Sequence, residues 1–220
     1  FKSDVNRNEG LTMFLLNPFV FKSTSLQYWI DAPFNTITQL NDESGNNRQF
    51  TQMNGGLTVT TTNDTNGALR FNGSGWMTTI DTFSLLDKDF NISCDVFIEN
   101  SSDYYSVFLA QRLVSAFVDI EFYSLQDGRL LVNVYFDDNT GFGFVGVGAA
   151  IRNQWQTVEF KRVGNVFTLT VDGVVVDSQT INKTVKSISN GVLNIGNANQ
   201  SDQSGTCTGS MRNLKVYIAD

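Results

Sequence analysis

The sequence predicts an all-β protein folded as a two-sheet antiparallel sandwich, and three observations support this prediction. Residues 155–177 alternate apolar and polar side chains in short runs separated by turn residues, as consecutive antiparallel strands do. Clusters of Gly, Asn, Asp and Ser recur at short intervals along the chain, which is typical of an all-β domain. The composition, with 18 Phe and 18 Gly but only 2 Pro, favours strands and turns over helices.

The strongest strand signal lies in residues 155–177, where three strands in a row make a predicted meander. Gly164-Asn165 supplies a tight turn between the first two strands, and Asp172-Gly173 supplies a type I′ turn between the second and third. One apolar set with a period of two means that one face of these strands is buried. The predicted core residues of the meander are Val158, Phe160, Phe167, Leu169 and Val171.

The same alternation predicts the other strands. Residues 1–10 are polar and patternless, whereas residues 11–30 are apolar enough for a strand and are interrupted by Pro18. The remaining segments predicted as strands are 57–62, 68–73, 76–80, 91–98, 105–112, 117–123, 130–136, 192–196 and 211–219. No composition shift, linker or internal repeat divides the chain, which indicates one domain.

Charge and residue content argue against several classes of function. The net charge of −7, with 15 basic and 22 acidic residues, argues against a nucleic-acid partner, which needs a concentrated Lys and Arg surface. The chain has no histidine, so Ser-His-Asp or Cys-His catalysis and zinc ligation by imidazole are excluded. No apolar run approaches the ~20 residues of a membrane-spanning helix, so we expect no membrane insertion.

The two cysteines, Cys94 and Cys207, are too few for a disulfide framework or a thiolate zinc site. Cys94 alternates in phase with Ile92 and Val96, so we predict that it is a small buried core side chain. A Cys94–Cys207 disulfide is the alternative. Titration of free thiols in the unfolded, unreduced chain distinguishes the two.

Several short segments occur in the order and spacing of a known family. They are residues 68–73 (ALRFNG) with Trp76 after them, 90–94 (FNISC) leading into Val96, 126–130 (QDGRL), 155–173 with its Val-Asp-Gly turn, 193–196 (LNIG) and 209–217 (GSMRNLKVY). In this ordered set the chain resembles the laminin-G-like branch of the concanavalin A-like lectin/glucanase superfamily. The resemblance implies a jelly-roll form of the two-sheet sandwich, with the meander as its central scaffold.

The upstream part of the chain carries a second resemblance. Residues 27–32 (QYWIDA), 36–38 (TIT) and 41–52 (NDESGNNRQFTQ) are similar to the stretch that often precedes this domain in bacteriophage virion proteins and bacterial surface proteins. This similarity implies that residues 26–220 form the laminin-G-like jelly-roll domain. Residues 1–25 are then an N-terminal extension or the first strand or strands, and they connect to an upstream region.

The superfamily includes laminarinase-type hydrolases, so paired carboxylates bear on the question of catalysis. These enzymes supply Glu-x-Asp-x-Glu on one strand, since a retaining glycosidase needs two carboxyls roughly 5–5.5 Å apart. Residues 117–121 (FVDIE) come nearest, but Phe117 stands where the first Glu is required. We therefore predict no enzyme and no catalytic residues, with Asp119 and Glu121 on the outer face of a strand. An inverting pair drawn from separate strands stays open.

Calcium is the one cofactor that the resemblance suggests, because related laminin-G-like domains often bind it at a loop edge. The candidate ligands for a structural Ca²⁺ are Asp42, Asp137, Asp138 and Asp202. None of these carboxylates has the loop spacing of a known calcium motif. Asp and Asn residues at turns more often bond their own backbone, which is the alternative here.

Residues 141–148 (GFGFVGVG) are rich in glycine but lack the lysine and the strand-to-helix context of a phosphate-binding loop. We expect a flexible loop or a bulged strand edge there. If Phe142 and Phe144 are exposed, they are the best candidates in the sequence for stacking on a sugar or for binding a partner.

These features predict a non-catalytic structural or binding domain of a bacteriophage virion protein, such as a fibre, decoration or tail component. The expected partners are a host-surface glycan or receptor, or other virion proteins, and the oligomeric state stays open. A bacterial surface adhesin or a carbohydrate-binding module is the alternative, and a glycoside hydrolase with a displaced catalytic pair is less favoured. The expected location is a virion, the extracellular space or the cell surface.

Overall fold

The fold is a two-sheet antiparallel β-sandwich, as the sequence predicts. The computed structural model describes residues 68–80, 82–99, 105–112, 118–187, 191–197 and 207–219, together with the backbone of four strands at 24–30, 40–41, 49–53 and 57–59. These described residues form sixteen strands and no helix. Within them, therefore, no helix has the length and apolar character to cross a bilayer.

The strands are mostly short, and neighbours in sequence are often neighbours in a sheet. In chain order they are β1 (Thr24–Ile30), β2 (Leu40–Asn41), β3 (Gln49–Met53), β4 (Leu57–Val59), β5 (Leu69–Asn72), β6 (Trp76–Thr79), β7 (Phe90–Ile98), β8 (Tyr105–Arg112), β9 (Val118–Leu125), β10 (Leu130–Tyr135), β11 (Gly141–Gly146), β12 (Trp155–Val163), β13 (Val166–Val171), β14 (Val174–Thr180), β15 (Val192–Ile195) and β16 (Thr208–Ala219).

Two eight-stranded sheets contain all of these strands. The first sheet has the order β14-β13-β12-β7-β16-β5-β4, and β1 pairs with the C-terminal half of β16. The second sheet has the order β11-β10-β9-β8-β15-β6-β3-β2. The sheets pack face to face, because the ring of Phe122 in the second sheet lies 6.1 Å from the ring of Phe160 in the first.

The predicted meander is confirmed as strands β12, β13 and β14, at one edge of the first sheet. Asp172 and Gly173 have positive φ values of 50° and 79°, which a type I′ turn requires. In the preceding turn Gly164 has a φ of 58°. All five predicted core residues of the meander are buried. Local alternation and turn chemistry are therefore sufficient to specify this part of the fold.

The core between the sheets is rich in phenylalanine. Phe160 is wholly buried, and its ring centroid lies within 6.1 Å of four other rings. Those four belong to both sheets and are Phe90, Phe122, Phe144 and Phe167. Burying each such side chain contributes roughly 1.5–3 kcal/mol, so this cluster is a large share of what holds the sheets together.

Both cysteines are buried and both are free thiols. Cys94 faces the core in phase with Ile92 and Val96, which confirms the prediction of a core side chain. Burial raises the pKa of the Cys94 thiol far above its usual range, and the neighbouring charges of Asp95 and Cys207 act in the same direction. A thiol held in this state is unreactive at neutral pH.

The glycine-rich stretch is the edge strand β11 of the second sheet. It lies beside β14, which is the edge strand of the first sheet. The backbone N–H of Val145 donates to Oδ2 of Asp177 at 3.0 Å, so a side chain of β14 caps part of the β11 edge. The two sheet edges thus protect each other on this side of the sandwich.

Candidate functional site

Half-buried polar and aromatic side chains gather on the face of the second sheet that points away from the core. In β9, Ile120 and Phe122 are wholly buried in the core, so alternation places Glu121 and Tyr123 on the opposite face. The same alternation in β8 and β10 adds further members. The outer-face site, as we name it, consists of Tyr105, Arg112, Glu121, Tyr123, Asn133 and Tyr135, all half-buried.

Cross-strand contacts hold the centre of the outer-face site. Asn133 lies opposite Glu121 in the β9–β10 ladder, and its Nδ2 donates to the hydroxyl of Tyr123 at 3.1 Å. The ring of Tyr123 meets the ring of Tyr105 edge to face, with centroids 6.2 Å apart. Such pairs fix side chains relative to the sheet. An amide, a carboxyl and aromatic rings are therefore presented together.

Two glycines of β11 allow side chains of β10 to lie across the sheet edge. A Cβ added to Gly141 would lie 2.9 Å from Cε1 of Tyr135, and one added to Gly143 would lie 3.0 Å from Oδ1 of Asn133. Both distances are too short for ordinary packing. The glycines of β11 thus make room for the Tyr135 ring and the Asn133 amide on the outer face.

Burial changes the proton affinity of the groups at the centre of the site. Desolvation raises the pKa of Glu121, and the positive charge of Arg112 and the Asn133 side chain oppose this only in part. Desolvation also raises the pKa of the Tyr123 hydroxyl, with Glu121 adding to the effect. The carboxyl of Glu121 is therefore in an environment that favours its neutral form more than water does.

The raised pKa of Glu121 predicts a pH-dependent gain in stability for Glu121→Gln. The pKa of Glu121 in the folded protein lies above its value in the unfolded chain, which is near the ordinary 4.5. The contribution of this carboxyl to stability is therefore fully present only below the unfolded-state pKa. That contribution is lost as the pH rises through the folded-state pKa. The Gln variant should therefore be more stable than the wild type at pH 7, with the difference closing below the unfolded pKa. Urea denaturation across this range measures it.

Glu159→Gln is the matched control for this prediction. Glu159 lies in β12 of the first sheet, where its carboxylate bonds Asn91 and lies near Lys161. Removing this carboxyl removes favourable contacts, so no gain in stability at neutral pH is expected. A Glu121→Gln variant that is less stable than the wild type at pH 7 would contradict the assigned environment.

Asp119 does not join Glu121 on the outer face, contrary to the expectation from the sequence. The β8–β9 pairing slips between Gln111 and Arg112, which leaves Asp119 as the extra residue of a bulge. The bulge turns Asp119 towards Gln111, whose Nε2 donates to Oδ2 of Asp119 at 3.0 Å. The same amide bonds the backbone of Phe83. Asp119 is wholly buried and belongs to a structural network.

Of the two rings predicted as ligand candidates, only one reaches the surface. Phe144 is wholly buried with its ring 4.9 Å from that of Phe160, so it does not meet the condition of exposure, and we remove it as a candidate. Phe142 is 38% exposed and its ring lies 5.0 Å from that of Phe144. Because both occupy alternate positions of β11, both point to the core side of the sheet. Phe142 therefore lies at the rim of the core, away from the outer-face site.

The four carboxylates considered for calcium differ in what the structure shows of them. Asp138 accepts a hydrogen bond from Nζ of Lys183 at 2.7 Å, and this bond holds the pKa of the carboxyl well below its usual range. Asp137 precedes it in the same exposed turn. Among the described residues, no group of three or more His, Cys, Asp or Glu is placed to hold a metal ion. Asp42 and Asp202 are not among those residues.

The outer-face site was missed by reasoning from the sequence, although a signal for it exists. Glu121 and Tyr123 occupy the positions between core residues of β9, and Asn133 and Tyr135 do so in β10. Tyrosines and amides that alternate with core residues on consecutive strands indicate a functional face. The sequence instead indicates Phe142 and Phe144 as ligand candidates, because these rings lie next to glycines in residues 141–144.

The family of the chain follows from the fold together with its sequence landmarks. Residues 71–219 match the laminin-G-type family of the concanavalin A-like lectin/glucanases superfamily. This match covers more than half of the chain, so the protein belongs to that family. The resemblance to the laminin-G-like branch of this superfamily is confirmed. No curated protein sequence matches the chain.

Solved structures with the same fold include one isolated domain that matches this chain over nearly its whole length. Domain 4 of AbnA, an extracellular arabinanase from Geobacillus stearothermophilus solved in complex with arabinotriose, is 16% identical with a TM-score of 0.65. The alignment covers 90% of this chain and 94% of that domain. At this level of identity the likeness establishes the fold alone.

Toxin binding domains form a second group of similar structures. The binding domain of botulinum neurotoxin serotype D is 11% identical with a TM-score of 0.65, and the alignment covers 88% of this chain and 47% of that one. The binding domain of Paraclostridial Mosquitocidal Protein 1 is 14% identical with a TM-score of 0.63, over 88% and 48% of the two chains. This chain therefore spans about half the length of these toxin domains.

Proposed function

We propose that the protein is a non-catalytic carbohydrate-binding domain whose ligand lies on the outer-face site. The observation that carries this proposal is the grouping of Tyr105, Tyr123 and Tyr135 with the amide of Asn133 and the carboxyl of Glu121 on one face. Tyrosine rings offer flat apolar surfaces to the C–H faces of sugars, and amide and carboxyl groups bond sugar hydroxyls.

The charge of the site and the ligand of one similar domain support a neutral glycan as the ligand. Within the outer-face site the charges of Glu121 and Arg112 are opposite, so the site has no excess of positive charge. The net charge of −7 on the chain also disfavours a polyanion, and the proposed ligand is therefore a neutral glycan. The arabinanase domain with this fold was solved with arabinotriose, and the similar toxin structures are binding domains. These likenesses are consistent with the proposal and carry less weight than the site itself.

Affinity electrophoresis and calorimetry against soluble arabinan, β-glucans and bacterial surface polysaccharides test the proposal. The wild type should bind at least one of them. Tyr123→Ala and Tyr135→Ala should each weaken that binding at least about tenfold, which is about 1.4 kcal/mol. Tyr217→Ala is the matched control, since Tyr217 is a half-buried tyrosine on the outer face of the first sheet. No binding by the wild type, or an equal loss with Tyr217→Ala, would refute the proposed site.

The absence of catalysis is part of this proposal. Retaining hydrolysis requires two carboxyls at roughly 5–5.5 Å beside the scissile bond, and an inverting mechanism requires a pair at about 6.5–9.5 Å. Glu121 lies on the outer face, whereas Asp119 is buried against Gln111. Phe117 lies outside the described residues. Incubation with the same polysaccharides should release no reducing ends, and their appearance would refute a non-catalytic role.

We further propose that the domain belongs to a bacteriophage virion protein such as a fibre, decoration or tail component, with a host-surface glycan as its ligand. The support is the similarity of residues 27–32 and 41–52 to the stretch that precedes this domain in virion proteins. A bacterial surface adhesin is the second candidate, since the same similarity extends to bacterial surface proteins. Neighbouring genes for capsid or tail proteins would support the first, and a bacterial cell-wall locus would contradict it.

A further inference from the structure

Two buried polar side chains without hydrogen-bond partners lie on the same face as the outer-face site. Asn194 of β15 is wholly buried, and neither its Nδ2 nor its Oδ1 has a hydrogen-bond partner among the described residues. Trp76 of β6 is 2% exposed, and within the described part of the chain its Nε1–H has no hydrogen-bond partner either. Buried polar groups are nearly always hydrogen-bonded, so each of these groups requires an explanation.

Strand register connects Asn194 to the outer-face site. Leu193 and Ile195 are buried in the core, so alternation directs Asn194 to the outer face. One row of directly paired residues crosses the sheet from β10 to β6, and its members are Asn133, Glu121, Ala110, Asn194 and Thr78. Only the small side chain of Ala110 separates Glu121 from Asn194. With strands about 4.8 Å apart, Asn133 and Asn194 lie about 14 Å apart along this row.

Trp76 lies beside the end of this row. Met77 of β6 is a core residue and pairs with Ile195, so Trp76 and Thr78 face outward on either side of it. The indole Nε1–H is a donor only, whereas the Asn194 amide offers both a donor and an acceptor. A side-chain amide can bind two adjacent hydroxyl groups of a sugar, because its NH₂ group donates a hydrogen bond to one and its oxygen accepts a hydrogen bond from the other. The indole then donates to a third oxygen.

We propose that Asn194 and Trp76 form a closed end subsite of the glycan site, and that the ligand is an oligosaccharide lying across the strands from β10 to β15. This inference rests on the proposed glycan-binding function. The row is longer than one sugar ring, so the ligand spans several units. Since Asn194 has no exposed surface, we expect the side chains that cover it to move aside when the ligand binds. A polar group left unpaired in the free protein and satisfied by the ligand favours the bound state.

Asn194→Leu tests the subsite, because Leu matches Asn in shape but has no polar atoms. Arabino-oligosaccharides and laminari-oligosaccharides from disaccharide to hexasaccharide serve as probes. In the wild type, affinity should rise with chain length until the row is filled. Asn194→Leu should fold with an equal or higher melting temperature and should lose at least about tenfold in affinity for the longer probes. Its affinity for the disaccharides should stay near that of the wild type.

Three outcomes separate this inference from the proposed function. If Asn194→Leu binds the whole series like the wild type while Tyr123→Ala weakens binding, the subsite is refuted and the outer-face site stands. If the wild type binds none of these oligosaccharides, the subsite is refuted, and if it also binds none of the polysaccharides, the proposed function is refuted as well. If Asn194→Leu does not fold, nuclear magnetic resonance of the wild-type protein tests the subsite instead. The indole N–H signal of Trp76 and the Asn194 amide signals should shift on addition of a hexasaccharide, and unchanged signals refute the subsite.

Discussion

Gly209→Ala should strongly destabilise the protein. A Cβ at this position would lie 2.1 Å from the carbonyl oxygen of Phe97, a backbone atom of the neighbouring strand. The φ of Gly209 is 152°, which side chains rarely adopt. Gly209 pairs with both Phe71 and Ile98, so β16 cannot move away from one strand without disturbing the other. We expect a loss of more than about 3 kcal/mol, or a melting temperature lower by roughly 10 °C.

Gly148→Ala separates the steric effect from the effect of backbone conformation. Gly148 has a φ of 69°, but a Cβ there would meet nothing within 4 Å. This variant should lose only about 1–2 kcal/mol, the cost of a left-handed conformation. Thermal and urea denaturation of the two variants provide the comparison. Similar losses at both positions would show that the close approach at Gly209 is not what limits substitution.

Gly196 and Gly209 lie in two of the segments on which the resemblance to this family rests, and in this chain both occupy tightly packed positions. Gly196 ends the LNIG segment with a φ of 86°, and a Cβ there would lie 2.3 Å from the ring of Phe71. Gly209 begins the GSMRNLKVY segment, where β16 lies between its two neighbours. In both places a strand passes too close to another part of the protein for any side chain. These glycines are readable from the sequence as landmarks, and the structure supplies the physical reason.

Much of the architecture could be predicted because it depends on local rules. Strand β8 begins and ends at the predicted residues 105 and 112, and β9, β10 and β15 lie within two residues of their predicted bounds. The period of two identifies each strand and its buried face, and the Asp172-Gly173 pair identifies a hairpin. Two sheets follow, since so many half-buried strands can bury their apolar faces only against each other.

The position of Asn194 beside the outer-face site could not be predicted, because it depends on the register between strands that are distant in sequence. Asn194 lies opposite Ala110, and Ala110 lies opposite Glu121, although β15 follows β9 only after five other strands. No local pattern specifies that order. The bulge that buries Asp119 is also a property of a strand pair, so alternation alone placed this residue on the wrong face.

The burial of Phe144 also depends on the pairing of two strands. Its flanking glycines predict a flexible loop or a bulged strand edge, whereas β11 is a regular edge strand whose alternate residues face the core. The glycines serve the opposite face, where they make room for Tyr135 and Asn133. One short segment therefore contributes a core ring on one side and space for the binding face on the other. The face of β11 that points outward can be assigned only when its pairing with β10 is known.

Phe160→Ala should be the most damaging substitution among the described core side chains of the meander. Phe160 has no exposed surface, and its ring contacts those of four other phenylalanines drawn from both sheets. Truncation removes the ring from the point where the sheets meet and leaves a cavity that the paired strands cannot close. We expect a loss of about 3–5 kcal/mol in the free energy of unfolding. Urea denaturation measures it, with circular dichroism to confirm the strand content.

Phe142→Ala is the matched control, since it removes the same ring from the rim of the same core. Phe142 is 38% exposed and contacts the ring of Phe144. Its loss should cost about 1–2 kcal/mol, because much of its surface already meets water. Equal losses at the two positions would contradict the central role of Phe160. Phe144 of β11 packs on Phe160, so Phe160→Ala should also loosen β11. Because Gly141 of β11 lies against the ring of Tyr135, glycan binding at Tyr135 should weaken as well. Phe142→Ala should weaken glycan binding to a smaller extent.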